Sequence, residues 1–357
     1  MHFRILRSAS APDQQAWHDA WQRSPSREPF AHPGYCQLFA EPTHRAVAVH
    51  FSCDAGEVLF PLILRDISAE PWFADNGLTK PIDAISPYGY GGPYWWGDDA
   101  EAVAAHFWPL YNEWAKDTGL VSEFARLSLF SSGILVYPGA VRVDRHNVVR
   151  ELHSDLDTIW RDVKHKVRKN VNRATRDGLE VAFNRGTEHL DEFVAIYEQT
   201  MERREAVEGY RWQRPFFERL CASLSGHYAF AHVIKGERVI STELLLLSAD
   251  AMYSFLGGTD ARFFDSRPND LLKWAAIAWG KENGKRYFVL GGGHSPQDGI
   301  FQYKAAFAPE GLWEFRVGSR VHDAVAYDTL VRLRRQSMLD RNIAWEPRPG
   351  FFPEYRA

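Results

Sequence analysis

The chain has 357 residues, of which 45% are hydrophobic and 14% aromatic, so it holds more material than one core usually contains and two domains are expected. Its formal net charge of −4 argues against a protein that coats nucleic acid generally, but leaves room for a local basic patch. No stretch approaches the roughly 20 apolar residues of a spanning helix, so any membrane contact is expected to be peripheral.

The first half predicts an α/β unit. Its expected elements are strands at 45–51 and 58–66, a helix at 100–118 ended by Gly119, and strands at 124–130 and 141–150. We place a boundary near His153, where a long basic helix begins. This gives domains 1–152 and 153–357, and the second domain ends in a helical tail.

Between these elements, the segment Ser86–Trp96 is rich in glycine, proline and aromatic residues. Repeated glycine and proline exclude a regular helix or a central strand there. The aromatic rings offer flat surfaces with polar edges, which suit stacking on a sugar or a base. The same rings could instead fill the joint between the domains, and both interpretations stay open.

The second half opens with a basic helix. Residues at spacings of three and four predict its buried stripe: Trp160, Val163, Val167, Val171 and Ala174. Seven cations occupy the other faces: Arg161, Lys164, Lys166, Arg168, Lys169, Arg173 and Arg176. They form either a solvated surface or a site for the phosphates of a tRNA acceptor arm or a nucleotide-linked cell-wall precursor.

A meander follows, with strands expected at 228–235, 239–247 and 252–256. A helix then runs from Pro268 toward Gly284, with Asn269 or Asp270 as its N-cap. It leads into a strand at 286–290. The predicted order is therefore three strands, a helix and a fourth strand.

That last strand runs into Gly291, Gly292 and Gly293. Glycines remove the side chains that keep a substrate from the backbone, and they allow φ values closed to other residues. Lys304, expected to be exposed, then offers a mobile positive charge nearby. This segment is predicted to be a strand end opened for a ligand.

The order of these elements resembles the core of the GNAT acyltransferase fold, and the stretch from about 160 to 311 resembles its FemABX branch, which includes FemAB-like and BioF2-like domains. The matching segments are 166–178, 255–259, 268–272, 299–307 and, in the first half, 86–93. The resemblance implies an α/β protein of two tandem GNAT-like domains, with mixed, mostly antiparallel sheets flanked by helices. It also implies aminoacyl transfer from aminoacyl-tRNA to an amine.

Several site residues are implied by the same resemblance. Arg168 and Lys169 would face the acceptor, and Tyr88 and Tyr90 are the matching tyrosines of the first half. Lys304 occupies the family's Phe/Tyr-Lys position, where the lysine meets the donor or the reacting centre. The further substrate contacts expected beside it are Tyr303, His294 and the three glycines 291–293.

One segment departs from the ordinary GNAT pattern. Acetyl-CoA enzymes hold the pyrophosphate on a glycine-containing loop before the crossing helix, where backbone N–H groups face the phosphates. Residues 260–270 contain no glycine here, and Asp265 and Asp270 would repel an anion unless Arg262 and Arg267 outweigh them. A conventional CoA site is therefore disfavoured, which favours an aminoacyl-tRNA donor.

Amide formation needs a proton acceptor, because an ammonium is not a nucleophile. The candidates are Asp298, Glu243 and His294. Each has an ordinary alternative, as a turn residue, a solvent-facing strand residue and a loop residue respectively. FemABX enzymes as a class lack an obvious indispensable base, so positioning alone is a further alternative.

The sequence offers no metal-ligand spacing, no Gly-x-Ser-x-Gly elbow and no phosphate-binding Gly-Lys-Ser/Thr loop, so no cofactor is expected besides the donor. The scattered cysteines Cys36, Cys53 and Cys221 favour a reducing cytoplasm. We expect an acyl or aminoacyl transferase of cell-envelope or natural-product assembly. The alternatives are an acyl-CoA-dependent N-acyltransferase acting on a sugar or small amine, and a non-catalytic subunit of an envelope-polysaccharide complex.

Overall fold

The computed structural model describes residues 1–73, 77–78, 80–205, 209, 211–293, 295 and 298–357. Within it the chain forms two compact units. Unit 1 comprises Met1–Asp144 and Phe315–Ala357, and unit 2 comprises Arg145–Glu314.

Strands and helices follow one another along the whole chain. The elements up to residue 151 are β1 (His2–Arg7), α1 (Ala11–Arg23), α2 (Pro33–Leu38), β2 (His44–Cys53), β3 (Gly56–Asp66), β4 (Ile82–Ile85), β5 (Tyr94–Gly97), α3 (Ala100–Thr118), β6 (Leu120–Arg126) and β7 (Ala140–Glu151). The later ones are α4 (Leu156–Asp162), α5 (His165–Arg176), β8 (Glu180–Asn184), α6 (Leu190–Arg203), α7 (Arg214–Ser223), β9 (Tyr228–Lys235), β10 (Arg238–Leu247), β11 (Ala251–Thr259), α8 (Pro268–Glu282), β12 (Tyr287–Gly291), α9 (Gly299–Ala305), β13 (Leu312–Val321) and α10 (Ala324–Asp340).

In unit 1 the strands lie in the order β1-β2-β3-β4-β6-β13, and β5 also pairs with β3. These neighbours are antiparallel except for β4 and β6, which run parallel. Helix α3 connects the two halves of that parallel pair. A parallel pair needs such a crossover because the chain must return to the same end of the sheet before the second strand begins.

Unit 2 repeats this arrangement with the order β8-β9-β10-β11-β12-β7. Here only β11 and β12 are parallel, and α8 is the crossover between them. The predicted antiparallel meander is β9-β10-β11. The predicted fold class, α/β with mostly antiparallel sheets flanked by helices, is confirmed.

The core of unit 2 explains why its helices lie where they do. Val167, Val171 and Ala174 bury one face of α5, while Ala276 and Ile277 bury the middle of α8 in the same cluster. Apolar residues three and four apart share one helix face, so each helix packs that face inward. The predicted stripe of the basic helix is confirmed at these positions.

Three predicted boundaries differ from the structure. The basic helix is two helices, because Lys164 is extended and its N–H donates to Ala306 O instead of continuing α4. Helix α8 begins after Arg267, not after Asn269 or Asp270, and Pro268 takes the first helical position, where a missing N–H costs nothing. The strand expected at 124–130 is β6, which ends at Arg126.

The compact units also divide the chain differently from the predicted 1–152 and 153–357. Their first boundary falls after Asp144, and the C-terminal residues from Phe315 onward belong with unit 1. Strand β13 is the reason, since its residues 317–321 pair with β6. Unit 1 is thus completed by a strand that lies outside its main run of elements, whereas the residues of β7 that pair with β12 lie at the start of unit 2. The predicted assignment of domains to functions stays a prediction.

Candidate active site

Strands β11 and β12 part within the unit 2 sheet. Their parallel pairing joins 251–253 to 287–289, and the described residues show no pairing between them beyond this. β11 continues beside β10, where Phe255 is an extra residue in the register between Leu244 and Leu245. β12 meanwhile shifts its register against β7 at Gly291. The two strands therefore leave an opening at their C-terminal ends.

A buried ion pair lies where the strands part. Glu243 on β10 is 5% exposed, and its Oε1 accepts hydrogen bonds from Lys273 Nζ of α8 and from Ser254 Oγ of β11. Lys273 Nζ also donates to Ser254 Oγ at 2.7 Å. Glu243 was predicted as a candidate base with a solvent-facing alternative. The structure excludes the solvent-facing alternative, and the role as a base stays a prediction.

Lys304 lies beside the same opening. It is half-buried on α9, and its Nζ donates to Gly292 O at 2.7 Å. Burial, and then the nearby charge of Lys273, lower the pKa of Lys304 to about 8. The expectation of an exposed, mobile lysine is therefore wrong, because this ammonium is held against the strand end.

The three glycines do not leave a single open space. Gly291 has φ of +80°, which confirms the expected need for a glycine there. A Cβ on Gly292 would lie 2.7 Å from Asn147 Oδ1, and one on Gly293 would overlap the Asp298 carboxylate. Side chains of the chain itself thus occupy the room beside Gly292 and Gly293. His294 lies outside the described residues.

Asp298 is the N-cap of α9. Its Oδ1 accepts from Phe301 N at 2.8 Å, and its Oδ2 accepts from Ser295 N at 2.9 Å. These bonds satisfy N–H groups that a helix start leaves unpaired. The contacts favour the alternative reading of Asp298 as a turn residue over its reading as a base.

Tyr303 lines a cavity of about 210 Å³ at the start of α8. Arg267, Asn269 and Asp270 lie in the same wall. Tyr303 Oη is buried and has no hydrogen-bond partner among the described residues. Burial, then the charges of Asp270 and Glu243, raise the pKa of this phenol well above its ordinary value, so it remains protonated.

The two predicted cations of the basic helix have different surroundings. Arg168 donates through Nη1 to Arg161 O at 2.8 Å and to Val163 O, so it caps the carbonyl end of α4. Lys169 is exposed, and the described residues give it no hydrogen bond or ion pair. Of the two, only Lys169 has an exposed ammonium that can bind a ligand without breaking a contact to a described residue.

Tyr88 and Tyr90 pack within unit 1. The Tyr90 ring meets Phe315 edge-on at 5.5 Å, and the Tyr88 ring stacks on Phe39 at 5.6 Å. Tyr35 Oη donates to Tyr88 O at 2.8 Å. Both tyrosines are half-buried, so their predicted contact with a ligand stays a prediction.

Comparison with known proteins identifies the domain that contains this opening. Residues 161–305 match the family model described as an acetyltransferase (GNAT) domain. These residues form a GNAT acyltransferase domain. The match confirms the predicted superfamily and reaction class, and it covers Glu243, Lys273 and Lys304. A search of curated proteins found no match for the sequence.

Solved structures show the same fold along most of the chain. A crystal structure of FemX has 13% identity and a TM-score of 0.65, covering 88% of this chain and 98% of its own. L-PGS from Bacillus licheniformis has 12% identity and a TM-score of 0.55, covering 91% and 96%. The C-terminal domain of a putative lysylphosphatidylglycerol synthetase from Agrobacterium fabrum has 14% identity and a TM-score of 0.54, covering 92% and 98%. The predicted FemAB-like fold is confirmed.

In the GNAT domain, ion pairs hold the segment between β11 and α8. Asp260 begins a short 3₁₀ turn at Ala261–Ser266 and binds Arg262 at 2.6 Å and Arg238 at 3.0 Å. Arg262 is thus committed to a carboxylate of the protein. Arg267 has no such partner among the described residues.

Unit 1 differs from unit 2 at the place beyond its own parallel pair, β4 and β6. After β4, the chain stays bonded to β6 and its extension, through Ser86 N to Phe124 O at 2.9 Å and Ser128 N to Gly91 O at 2.8 Å. Residues 86–91 therefore occupy the place that corresponds to the opening between β11 and β12, and residues 94–96 pair with β3 instead.

Sequence reasoning missed Lys273 and Ser254. A signal existed, because Glu243 is the one carboxylate of β10 and is followed by four leucines, and a buried carboxylate requires a partner. Which cation supplies it depends on how α8 is rotated over the sheet. The described residues contain no cluster of His, Cys, Asp and Glu suited to a metal ion. None of their helices has the length and apolar content to cross a membrane.

Proposed function

We propose that this GNAT domain joins an aminoacyl group from aminoacyl-tRNA to an amine, with the reacting carbonyl placed in the opening between β11 and β12. One observation carries the proposal: the Glu243–Lys273 pair and Lys304 lie together where the two strands part. A carboxylate and an ammonium at one opening are the groups that amide formation needs.

The proposed reaction has three steps: deprotonation of the acceptor, attack on the carbonyl, and loss of the ribose oxygen. The acceptor's ammonium gives one proton to Glu243 and becomes a neutral amine. Its nitrogen then attacks the ester carbonyl, and the Lys304 ammonium stabilises the developing oxyanion. As the tetrahedral intermediate collapses, the bond to the tRNA ribose oxygen breaks, and that oxygen takes the second proton of the nitrogen.

The donor loop supports aminoacyl-tRNA over an acyl-CoA. No glycine lets a pyrophosphate approach the backbone at 260–267, and Arg262 is bound to Asp260. Exposed cations on α5, among them Lys166 and Lys169, offer instead a surface for the phosphates of an RNA.

An envelope role is the accompanying proposal for the acceptor. One protein with this fold is named as a putative lysylphosphatidylglycerol synthetase, and another is named L-PGS. FemX shares the fold as well. We infer a cytoplasmic enzyme that acts on an amine-bearing cell-wall precursor or a related small molecule, with peripheral membrane contact where the acceptor is lipid-linked.

The acyl-CoA alternative keeps one specific observation in its favour. Helix α8 has no side-chain cap at its start, and the Arg267 side chain beside it has no partner in the described chain. An uncapped helix start with a neighbouring arginine attracts anions. A phosphate of coenzyme A would fit that attraction.

A paired-donor assay separates these proposals. The purified protein is given an amine mixture with either a pool of charged tRNAs or a set of acyl-CoAs, and amide products are measured by mass spectrometry. We expect amide and deacylated tRNA from the first set and no free thiol from the second. Free thiol with amide would establish the acyl-CoA alternative, and no product from either set would favour the non-catalytic subunit.

A further inference from the structure

Glu243 has one oxygen that the protein leaves without a partner. Its Oε1 receives both Lys273 Nζ and Ser254 Oγ, whereas Oε2 is buried and accepts no hydrogen bond from any described residue. A buried polar atom left unpaired destabilises the protein, because it has lost its hydrogen bonds to water. Such an atom beside an opening in the sheet is suited to a partner that a substrate supplies.

Lys273 is buried and hydrogen-bonded, like the Glu243 carboxylate that it contacts. Its side chain is 12% exposed, against 6% for Glu243, and its Nζ also donates to Ser254 Oγ at 2.7 Å. Asn269, one turn earlier on α8, binds Thr259 Oγ1 at 2.5 Å and Ser241 Oγ at 3.2 Å. These contacts fix the rotation of α8 over the strands, so Lys273 has little freedom to leave Glu243.

We propose that Lys273 is a positioning residue, which occupies Oε1 together with Ser254 and so reserves Oε2 for the ammonium of the acceptor amine. This inference rests on the proposed amide-forming reaction. Lys273 itself touches no reacting atom. Its effect is transmitted through the charge and orientation of one carboxylate.

Other groups also face Glu243. From α9, the Lys304 ammonium and the neutral Tyr303 phenol interact with it electrostatically, and from β11 Ser254 donates to it. Lys304 loses its proton near pH 8, and Tyr303 stays protonated. On the acid side of a rate–pH profile both of these neighbours therefore keep their protons.

The test compares Lys273→Met, Lys273→Arg and Glu243→Gln in the full chain. Because a cation favours the charged carboxylate, Lys273→Met should move the acid limb of kcat/KM upward by about one pH unit or more. Its activity near pH 7 should fall about 100-fold, and Lys273→Arg should restore most of it. In the Glu243→Gln background, Lys273→Met should add little further loss.

Lys281→Met is the matched control. Lys281 lies two turns later on α8 and donates to Leu152 O at 3.1 Å and His153 O at 3.3 Å, away from Glu243. It should leave the profile unchanged. A uniform loss across pH in Lys273→Met, or a loss that persists in full without Glu243, would assign Lys273 a structural role and overturn the proposal.

An infrared titration tests the same point without turnover and on folded protein only. The carboxylate band of Glu243 is identified by difference from Glu243→Gln, and in Lys273→Met it should disappear at higher pH than in the wild type. An unmoved band in a transfer-active protein overturns the role of Lys273 alone. Absence of transfer from every donor overturns the proposed function instead, and with it the substrate assigned to Oε2.

Discussion

The Lys304 ammonium is hydrogen-bonded at the end of β12, and its pKa lies close to neutral pH. Its pKa is about 8, against an ordinary 10.5, because burial disfavours the charged form. Between these two pH values the unfolded chain binds the proton and the folded chain does not. The contribution of Lys304 to the free energy of unfolding therefore rises as pH increases through this window.

We predict that transfer activity falls as pH rises through about 8, since the ammonium is then lost. Lys304→Arg should abolish this fall, because a guanidinium stays charged. Lys304→Met should lower kcat about 100-fold at pH 7, the size of effect typical of a lost oxyanion donor. Rate–pH profiles of the three proteins provide the measurement, and an alkaline fall that persists in Lys304→Arg would contradict the assignment.

Asp298 allows a cap to be distinguished from a base. Asp298→Asn keeps an oxygen for Phe301 N and should retain activity and stability, whereas Asp298→Ala should lower the free energy of unfolding by about 1 kcal/mol. Denaturant titration and the transfer assay measure the two effects. Should Asp298→Asn fold normally but lose transfer, the base role predicted from the sequence would be restored.

The sequence predicted the residues of this site unevenly, for physical reasons. Gly291 could be predicted because its positive φ depends on local chain geometry, whereas Lys304 was named from the family resemblance and its contact with Gly292 O was not foreseen. Glu243 could be named but not placed, since its burial depends on α8 covering β10. Lys273 could not be found, because nothing in its helical spacing separates it from a surface lysine.

At the scale of elements, α4 and α5 show why the basic helix required coordinates. A continuous helix would satisfy its own carbonyls, but the break at Lys164 leaves those of α4 open, and the Arg168 guanidinium binds them. Periodicity predicted the buried stripe correctly because it depends only on which residues share a face. The break depends on a bond from Lys164 N to Ala306 O, 142 positions apart in the chain and invisible to local pattern.

We predict different effects for the two neighbouring cations of α5, Arg168 and Lys169. Arg168→Met should lower the free energy of unfolding by about 1–2 kcal/mol, since it removes charged hydrogen bonds from helix carbonyls. Lys169→Met should leave stability unchanged and reduce the salt dependence of RNA binding by about one unit of slope. Thermal unfolding and binding titrations at several salt concentrations test both. Equal stability losses in the two variants would contradict this division of roles.

At the scale of the whole molecule, two units repeat one order of elements and differ at one place. In each, a parallel pair lies beside an antiparallel strand from elsewhere in the chain. In unit 1, residues 86–91 stay hydrogen-bonded to β6 and its extension beyond the parallel pair, whereas in unit 2 the strands β11 and β12 part beside charged groups. The family resemblance implied two tandem domains, but the pairing of β13 with β6 and of β7 with β12 joins residues far apart in the chain and was not predictable from local signals.

Amide hydrogen exchange on the full chain tests the central claim most directly, that the donor enters the opening between β11 and β12. The probes are acetyl-CoA and a mixture of RNA minihelices carrying amide-linked amino acids. We predict that the minihelices protect amides within 254–259 and 291–293, where N–H groups facing the opening lack strand partners, and leave 86–93 unchanged. Protection at 86–93 without protection at 254–259, or no protection by either probe, would contradict the account.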